Sequence, residues 1–204
     1  MARPKTVPDK KPSRELLLEA AFDLIRSQGF GATTVDAICE RAGVSKGTFF
    51  HNFKSKEDLG VEAANHWSKV TSELFAGAPY HGKKDPLERF LGYVRFRKEI
   101  LKGELAEFTC LVGTMIQEVY ASHPGVNRAC FDSISRHAGN LVKDIEEAKK
   151  VHAPKDKWSP RSLALHTQAV LQGAFILAKA SADRGLAVES IEHLENYIRL
   201  LFKK

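Results

Sequence analysis

From Ser13 onward, apolar residues recur at three- and four-residue steps, and the recurrence is broken by glycine, proline or a polar cluster. Leu17, Ala20, Ala21, Leu24 and Ile25 form the first stripe, a helix from Ser13 to about Gln28 with Ser13 as its cap, Glu15 at its positive end and Gly29 as its stop. A short second helix carries Ala37, Ile38 and Ala42 and ends at Gly43, which takes a left-handed cap conformation at little cost. Val44 plugs the turn, and Ser45 caps a third helix that runs to about Phe53, with Phe30 and Val35 closing a small core below. Ser55 opens a fourth helix, with Asp58 three residues on as in a capping box, and a stripe of Leu59, Ala63, Trp67, Val70 and Leu74. Gly77 to Lys84 is a loop. Asp85-Pro86 with Glu88 then starts a helix carrying Phe90, Leu91, Val94, Ile100 and Leu101. After an interruption at Gly103, Glu104 to Ser122 is predicted as one helix. Val126 to about Val151 is a longer one, with Ala129, Phe131, Ile134, Ala138, Leu141 and Ile145. Ser159-Pro160 begins a helix predicted to reach Arg184 and stop at Gly185, and the last spans Val188 to Phe202. No stretch shows strand alternation, a hairpin signal or an internal repeat. The pattern predicts an all-α chain of about nine helices, three in a small N-terminal unit and about six behind it.

The second and third helices carry the chemistry. Two short helices at a tight glycine turn, with a basic, slim, hydroxyl-bearing first turn on the second, are the plan of a DNA-reading helix-turn-helix. The run from Thr33 through GVSKGTFFHNFKSKEDL resembles the N-terminal DNA-binding domain of the TetR/AcrR family of transcriptional regulators, a match extending from about Ser13 to about Leu59. The resemblance implies a basic mobile arm over residues 1–12, a helix-turn-helix domain over 13–56, and a larger helical ligand-binding and dimerisation domain over 57–204. It also implies that the helix beginning at Ser45 enters the major groove. Lys46 would reach guanine O6 or N7, Gly47 would allow close backbone approach, and Thr48 and His51 would touch bases or phosphates. Ser45, with Thr33 or Thr34, would donate to phosphate, and Lys54 and Lys56 would pair with phosphate across the next helix start. Phe50 departs from the tyrosine that similar sequences often carry there. Its missing hydroxyl leaves a phosphate contact either lost or replaced by His51 and Asn52.

The charge distribution agrees with a DNA-facing N-terminus. Net charge is +6, and residues 1–56 hold 10 Lys or Arg against 6 Asp or Glu, whereas the remainder hold 21 against 19. The excess sits on the segment that would meet phosphates. Cys39, Cys110 and Cys130 are scattered and odd in number, which argues for a reducing compartment over a disulfide framework. The eight histidines show no i, i+4 pair and no Cys/His cluster, so no metal site is expected. The N-terminus lacks the apolar segment of a signal peptide, and no apolar run approaches the roughly 20 residues of a membrane span. A cytoplasmic protein with no membrane contact and no cofactor is expected.

The segment behind the N-terminal unit should supply a small-molecule pocket and a dimer interface. Trp67, Phe96, Phe108, Cys110, Met115, Tyr120, Phe131 and Phe175 are the apolar pocket candidates, with His137, His166, Gln168 and Gln172 as polar ones. For each of them a place in the core is the competing reading. Ala164, Ala169, Gly173 and Ala178, with the stripe Ile191, Leu194, Ile198 and Leu201, are the candidates for a homodimer interface. In the family the last two helices pair across a two-fold axis as a four-helix bundle. Such a dimer presents two reading helices to a palindromic operator at a spacing of roughly 34–36 Å. The function implied is a ligand-responsive repressor that releases its DNA operator when an effector binds. The alternative is a protein of the same fold that activates, or works without a ligand. No G-x-S-x-G, HExxH, P-loop or GxGxxG motif supports an enzyme. A non-specific DNA-binding module would leave the long helical segment after Lys56 with no purpose beyond dimerisation.

Overall fold

The computed structural model describes residues 11–203, so the predicted N-terminal arm lies outside the described residues except for Lys11 and Pro12. Within them the chain is all-α, with ten α-helices and no strand. In order they are α1 (Ser13–Gln28), α2 (Val35–Ala42), α3 (Lys46–Asn52), α4 (Lys56–Ala76), α5 (Pro86–Glu99), α6 (Leu105–Phe108), α7 (Leu111–Val119), α8 (Pro124–His152), α9 (Pro160–Ser181) and α10 (Arg184–Leu201). A single 3₁₀ turn, Pro79–Gly82, lies in the loop before α5.

Local chemistry explains most of these boundaries. The side chains of Thr34, Ser45, Ser55, Asp85, Ser159 and Asp183 each accept a hydrogen bond from a backbone N–H two or three residues on, satisfying a donor that the helix start leaves free. Gly43 ends α2 at φ 65°, ψ 36°, where a side chain would be strained. Ser13 does not cap α1. Pro12 takes that place, and the Ser13 hydroxyl instead accepts from Asn52 Nδ2 at 3.3 Å.

Two predicted helices end elsewhere. The segment Glu104 to Ser122 is two helices, because Thr109 and Cys110 are extended (ψ 156° and 121°). The single turn of α6 is closed by reciprocal bonds between Glu104 and Glu107. Farther on, α9 stops at Ser181 with Ala182 in the left-handed region, and Asp183 starts α10 by accepting from Gly185 N–H at 2.7 Å. Gly185 therefore belongs to the first turn of the last helix.

Two clusters of buried side chains organise the molecule. The first joins Leu17, Leu18, Ile25, Phe30, Ile38, Phe49 and Phe53 of the head, formed by α1 to α3 and their connections, to Leu59 of α4, to Leu111, Val112 and Met115 of α7 and to Val126 and Cys130 of α8. The head is thus seated on α7 and α8, and its core does not stop at Lys56. The second lies between α5, α8, α9 and α10 and includes Phe90, Leu91, Tyr93, Leu141, Ile145, Leu171, Ile191 and Ile198. Arg89 ties α5 to α8 through Asp144 (2.7 Å) and Glu147, and Arg95 ties α5 to α10 through Glu195 (2.9 Å).

Helix α4 crosses between the clusters. Its 21 residues span about 32 Å at 1.5 Å per residue. Val70 and Leu74 of the predicted stripe are exposed, whereas Ala64, Ser68 and Phe75 are buried. The face turned inward carries small residues, and Arg136 of α8 reaches Ser68 Oγ across it at 3.1 Å.

Candidate functional site

Helix α3 buries one side and presents the other. Phe49 and Phe53 are buried in the head core, and Val44 packs against the same cluster from the turn. Ser45, Lys46, Gly47, Phe50, His51 and Lys54 are exposed, and Thr48 is half-buried. Ser45 Oγ accepts from Thr48 N–H at 3.1 Å and lies 3.0 Å from Thr48 Oγ1, so the first turn is rigid. Lys46 Nζ pairs with Asp36 of α2 at 2.6 Å, and that bond raises its pKa, so it stays charged. Both side chains are largely in solvent, where such a pair is easily exchanged for another anion. Phe50 is 57% exposed, an apolar ring beside the lysine, with its edge against Phe49.

Three expectations for this surface are corrected. Thr33 is fully buried, and its hydroxyl donates to Gly29 O at 2.6 Å, so it cannot face a phosphate. Thr34 is the exposed one of the pair and caps α2 by accepting from Ala37 N–H at 3.1 Å. Asn52 does not replace the missing tyrosine hydroxyl, because its amide donates to Thr48 O at 2.8 Å and to Ser13 Oγ, which leaves His51. Lys56 is turned inward. Its ammonium donates to Phe30 O (3.0 Å), Thr33 O (3.0 Å) and Gly31 O (3.4 Å), and sits 4.6 Å from the centre of the Phe30 ring. It closes the loop between α1 and α2 and is not available to DNA.

Behind the head lies a cavity of about 160 Å³ between α4, α5, α6, α7, α8 and α9. Seven of the predicted pocket residues line it, namely Trp67, Phe108, Cys110, His137, Gln168, Gln172 and Phe175. The other five do not. Met115 is fully buried beneath the head. Phe96 packs edge-on against Phe75, one layer away from the cavity. Tyr120 is 71% and Phe131 59% exposed, the first just past the end of α7 and the second on the outer face of α8. His166 lies on the outside of α9 with its ring against Tyr197. The lining residues that sequence reasoning missed include Arg97, Phe75, Thr71, Ser133 and Glu107. Arg97 stands among the charges of the run RFRKE, but it is four residues from Tyr93 and seven from Phe90, on the inward face of α5. That spacing was the available signal.

One wall of the cavity is a polar relay. Gln168 Nε2 donates to Tyr93 Oη at 3.0 Å, and Tyr93 Oη lies 2.8 Å from His137 Nε2. Burial, aided by the charge of Arg97, pushes the His137 pKa down to about 3, so its imidazole is neutral at physiological pH.

The cavity and the head are fastened together. Arg26, in the last turn of α1, donates to Glu107 O of α6 at 2.8 Å. Lys179 of α9 donates to Arg26 O and to Thr114 Oγ1, each at 2.9 Å. Glu118 of α7 accepts from Phe30 N–H (3.1 Å) and Gly31 N–H (2.7 Å) in the same loop whose carbonyls hold Lys56.

Residues 17–63, the head together with the start of α4, match the family described as bacterial regulatory proteins, tetR family. Over this segment the chain resembles the TetR/AcrR family of transcriptional regulators. Its similarity to relatives of this family extends well past the head. The transcriptional regulator AcuR of Cereibacter sphaeroides is 26% identical over 180 residues, which cover 87% of this chain and 81% of AcuR. The HTH-type transcriptional repressor DhaR of a Mycobacterium species is 22% identical over 194 residues, covering 95% and 92%. The crystal structure of a regulatory protein TetR from Rhodobacter sphaeroides shares the fold at a TM-score of 0.80 with 22% identity, over 90% of this chain and 97% of that one. TetR/AcrR regulators bind DNA, often as repressors, typically as dimers. No helix among the described residues of this chain is long and apolar enough to cross a membrane.

The expected dimer stripe is redistributed. Ala164, Ala178, Ile191, Leu194 and Ile198 are buried within the single chain, and Leu201 packs partly against the same cluster. Ala169 is exposed, and a Cβ on Gly173 would meet nothing within 4 Å. Flanking them on the outer face of α9 are Leu165 and Leu177, with Tyr197 and Leu200 exposed on α10, Leu200 at 75%. The contact of His166 with Tyr197 joins the two helices' outer faces into one surface.

Proposed function

We propose that this protein is a ligand-responsive repressor that holds its operator as a homodimer and releases it when a small molecule occupies the cavity behind the head. The observation that carries this reading is the reach of α4. Its first turns contribute Leu59, Ala63 and Ala64 to the head core, and its last turns contribute Thr71, Leu74 and Phe75 to the environment of the cavity. A molecule that separates α4 from α6 and α7 moves the helix that follows α3 directly in the chain and shares the head core with it through Leu59. The bonds from Arg26, Lys179 and Glu118 deliver the same displacement to the loop below α2. Effector and DNA are then coupled because each prefers one arrangement of a shared set of helices. The name of DhaR as a repressor supports the sign of regulation.

The first experiment is binding to the DNA just upstream of the protein's own coding region, at physiological salt with excess random competitor. A preference of about 10³ or more over random DNA is expected. Steeply salt-dependent binding without preference, across a genome-wide selection of bound fragments, would instead describe a non-specific module.

The outer face of α9 and α10 supplies the dimer contact in this reading. Leu177→Glu combined with Leu200→Glu should shift the solution mass from dimer to monomer, measured by light scattering, with helix content retained because both side chains are exposed in the single chain. A dimer that persists in the double variant would place the interface elsewhere.

A further inference from the structure

The cavity holds a cation that nothing in the fold neutralises. Arg97 of α5 makes no hydrogen bond or ion pair with any described residue, and its Nε is buried without a partner. Arginines nearby behave differently. Arg89 and Arg95 each hold two carboxylates, and Arg26 holds a backbone carbonyl. The Arg97 guanidinium is fixed between two rings, 5.3 Å from the centre of Phe75 and 5.4 Å from that of Phe175. Those rings hold its plane but leave the buried Nε–H without an acceptor, and an unsatisfied buried donor is costly. Glu107, the carboxylate on the wall, accepts from Glu104 N–H at 2.8 Å and lies outside ion-pair distance of Arg97.

The rest of the wall decides what kind of anion fits. With Gln168 donating to Tyr93, the phenol hydrogen goes to His137 Nε2, so the neutral imidazole carries its proton on Nδ1, a second uncharged donor. The remaining surface is largely apolar, with Trp67, Phe108 and Ile134. A single positive charge matches a single negative one, and a dianion would leave a charge facing these rings. Cavities of about 150 Å³ hold a benzene molecule, and this one measures about 160 Å³.

We propose that the effector is a small monocarboxylic acid with an apolar body no larger than about a benzene ring, its carboxylate held in a two-bond fork by Arg97. This rests on the effector reading above and names the chemistry of that site. Pairing with the fork is bidentate, so lysine is not an equivalent there.

The test is calorimetric titration of the full-length protein at matched ionic strength. The probes are monocarboxylates from propionate to benzoate, the amide of each, and inorganic phosphate. At least one carboxylate should bind at least tenfold more tightly than its amide, and phosphate should not bind. Arg97→Met should weaken that carboxylate at least tenfold. The unliganded variant should melt no lower than the parent, because the fold gives the guanidinium no hydrogen bond or ion pair to lose and the methionine side chain keeps the packing between the Phe75 and Phe175 rings; a purely structural arginine would lower the melting temperature. Should Arg97→Met fail to fold, Arg97→Lys, which keeps the charge but loses the fork, should still weaken the carboxylate several-fold. Equal binding of acid and amide, undiminished binding to both variants, or no binding of any carboxylate overturns the proposal. Release of operator DNA, measured separately with each probe, distinguishes the two readings. An amide that releases DNA sinks the carboxylate assignment and keeps the effector reading. A carboxylate that binds through Arg97 without releasing DNA keeps the site and sinks the effector reading.

Discussion

Replacing Lys46 and Thr48 together by alanine should bring operator binding down to the level of random DNA, a loss of at least about a hundredfold, while the dimer and its melting temperature stay as they were. The expectation follows from what each side chain does in the free protein. Lys46 stands in solvent at the first turn of α3, and its only described partner is the equally exposed Asp36. Thr48 Oγ1 touches Ser45 Oγ, but the cap itself runs from Ser45 Oγ to the Thr48 backbone N–H and survives truncation. Neither residue contributes to the buried face formed by Phe49 and Phe53. On the proposed function, what is lost is contact with DNA, and a two-fold dimer would lose it at both half-sites. Gel-shift titration against operator and scrambled DNA measures the ratio. An unchanged preference in a folded dimer would show that base reading lies elsewhere, with His51 and the exposed Phe50 ring, an apolar group suited to a thymine methyl, next to be replaced.

The parts of this fold that were legible in the sequence depend on neighbours close along the chain. A serine or aspartate that caps a helix finds its N–H two or three residues away, so Ser45, Ser55, Asp85 and Ser159 announce their helices without tertiary information. The exposed face of α3 was legible for the same reason, since seven residues and a glycine turn determine it. Thr33 and Thr34 show where locality ends. Both are threonines before a helix, but only one can cap it, and the choice was made by the carbonyl of Gly29 and the closing ammonium of Lys56. On the last two helices, most of the expected interface residues pack inside the single chain for a different reason. Small Ala164 and Ala178 are inside while larger Leu165 and Leu177 are outside. Burial preference within one chain points the opposite way, and in the proposed dimer a second chain would cover the larger pair. Arg97 was hidden by its company, because Arg95 and Lys98 on either side do face outward, to Glu195 and Glu192 of α10.

Lys56 tests the difference between a charge that meets DNA and one that builds the surface DNA meets. Its ammonium gathers three carbonyls of the loop between α1 and α2, and Glu118 gathers two N–H groups of the same loop from the opposite side. The loop ends at Thr34, the cap of α2, so its shape sets how the helix-turn-helix sits on the molecule. Hydrogen bonds from a charged donor contribute about 1.5–3 kcal/mol, and this one is half-exposed, so Lys56→Met should cost about 2 kcal/mol. For a chain of this length that is a fall of about 4–8 °C in melting temperature, compared at one protein concentration. The slope of log affinity against log salt should not change. A lysine bound to phosphate would behave in the opposite way, with stability unaffected and the slope shallower by about one for each lysine removed. An unchanged melting temperature with a shallower slope would return Lys56 to the DNA surface. A lowered melting temperature with the slope preserved would mean that the loop is held between a cation on α4 and a carboxylate on α7. Both helices reach the cavity, so the loop would register any change in their separation.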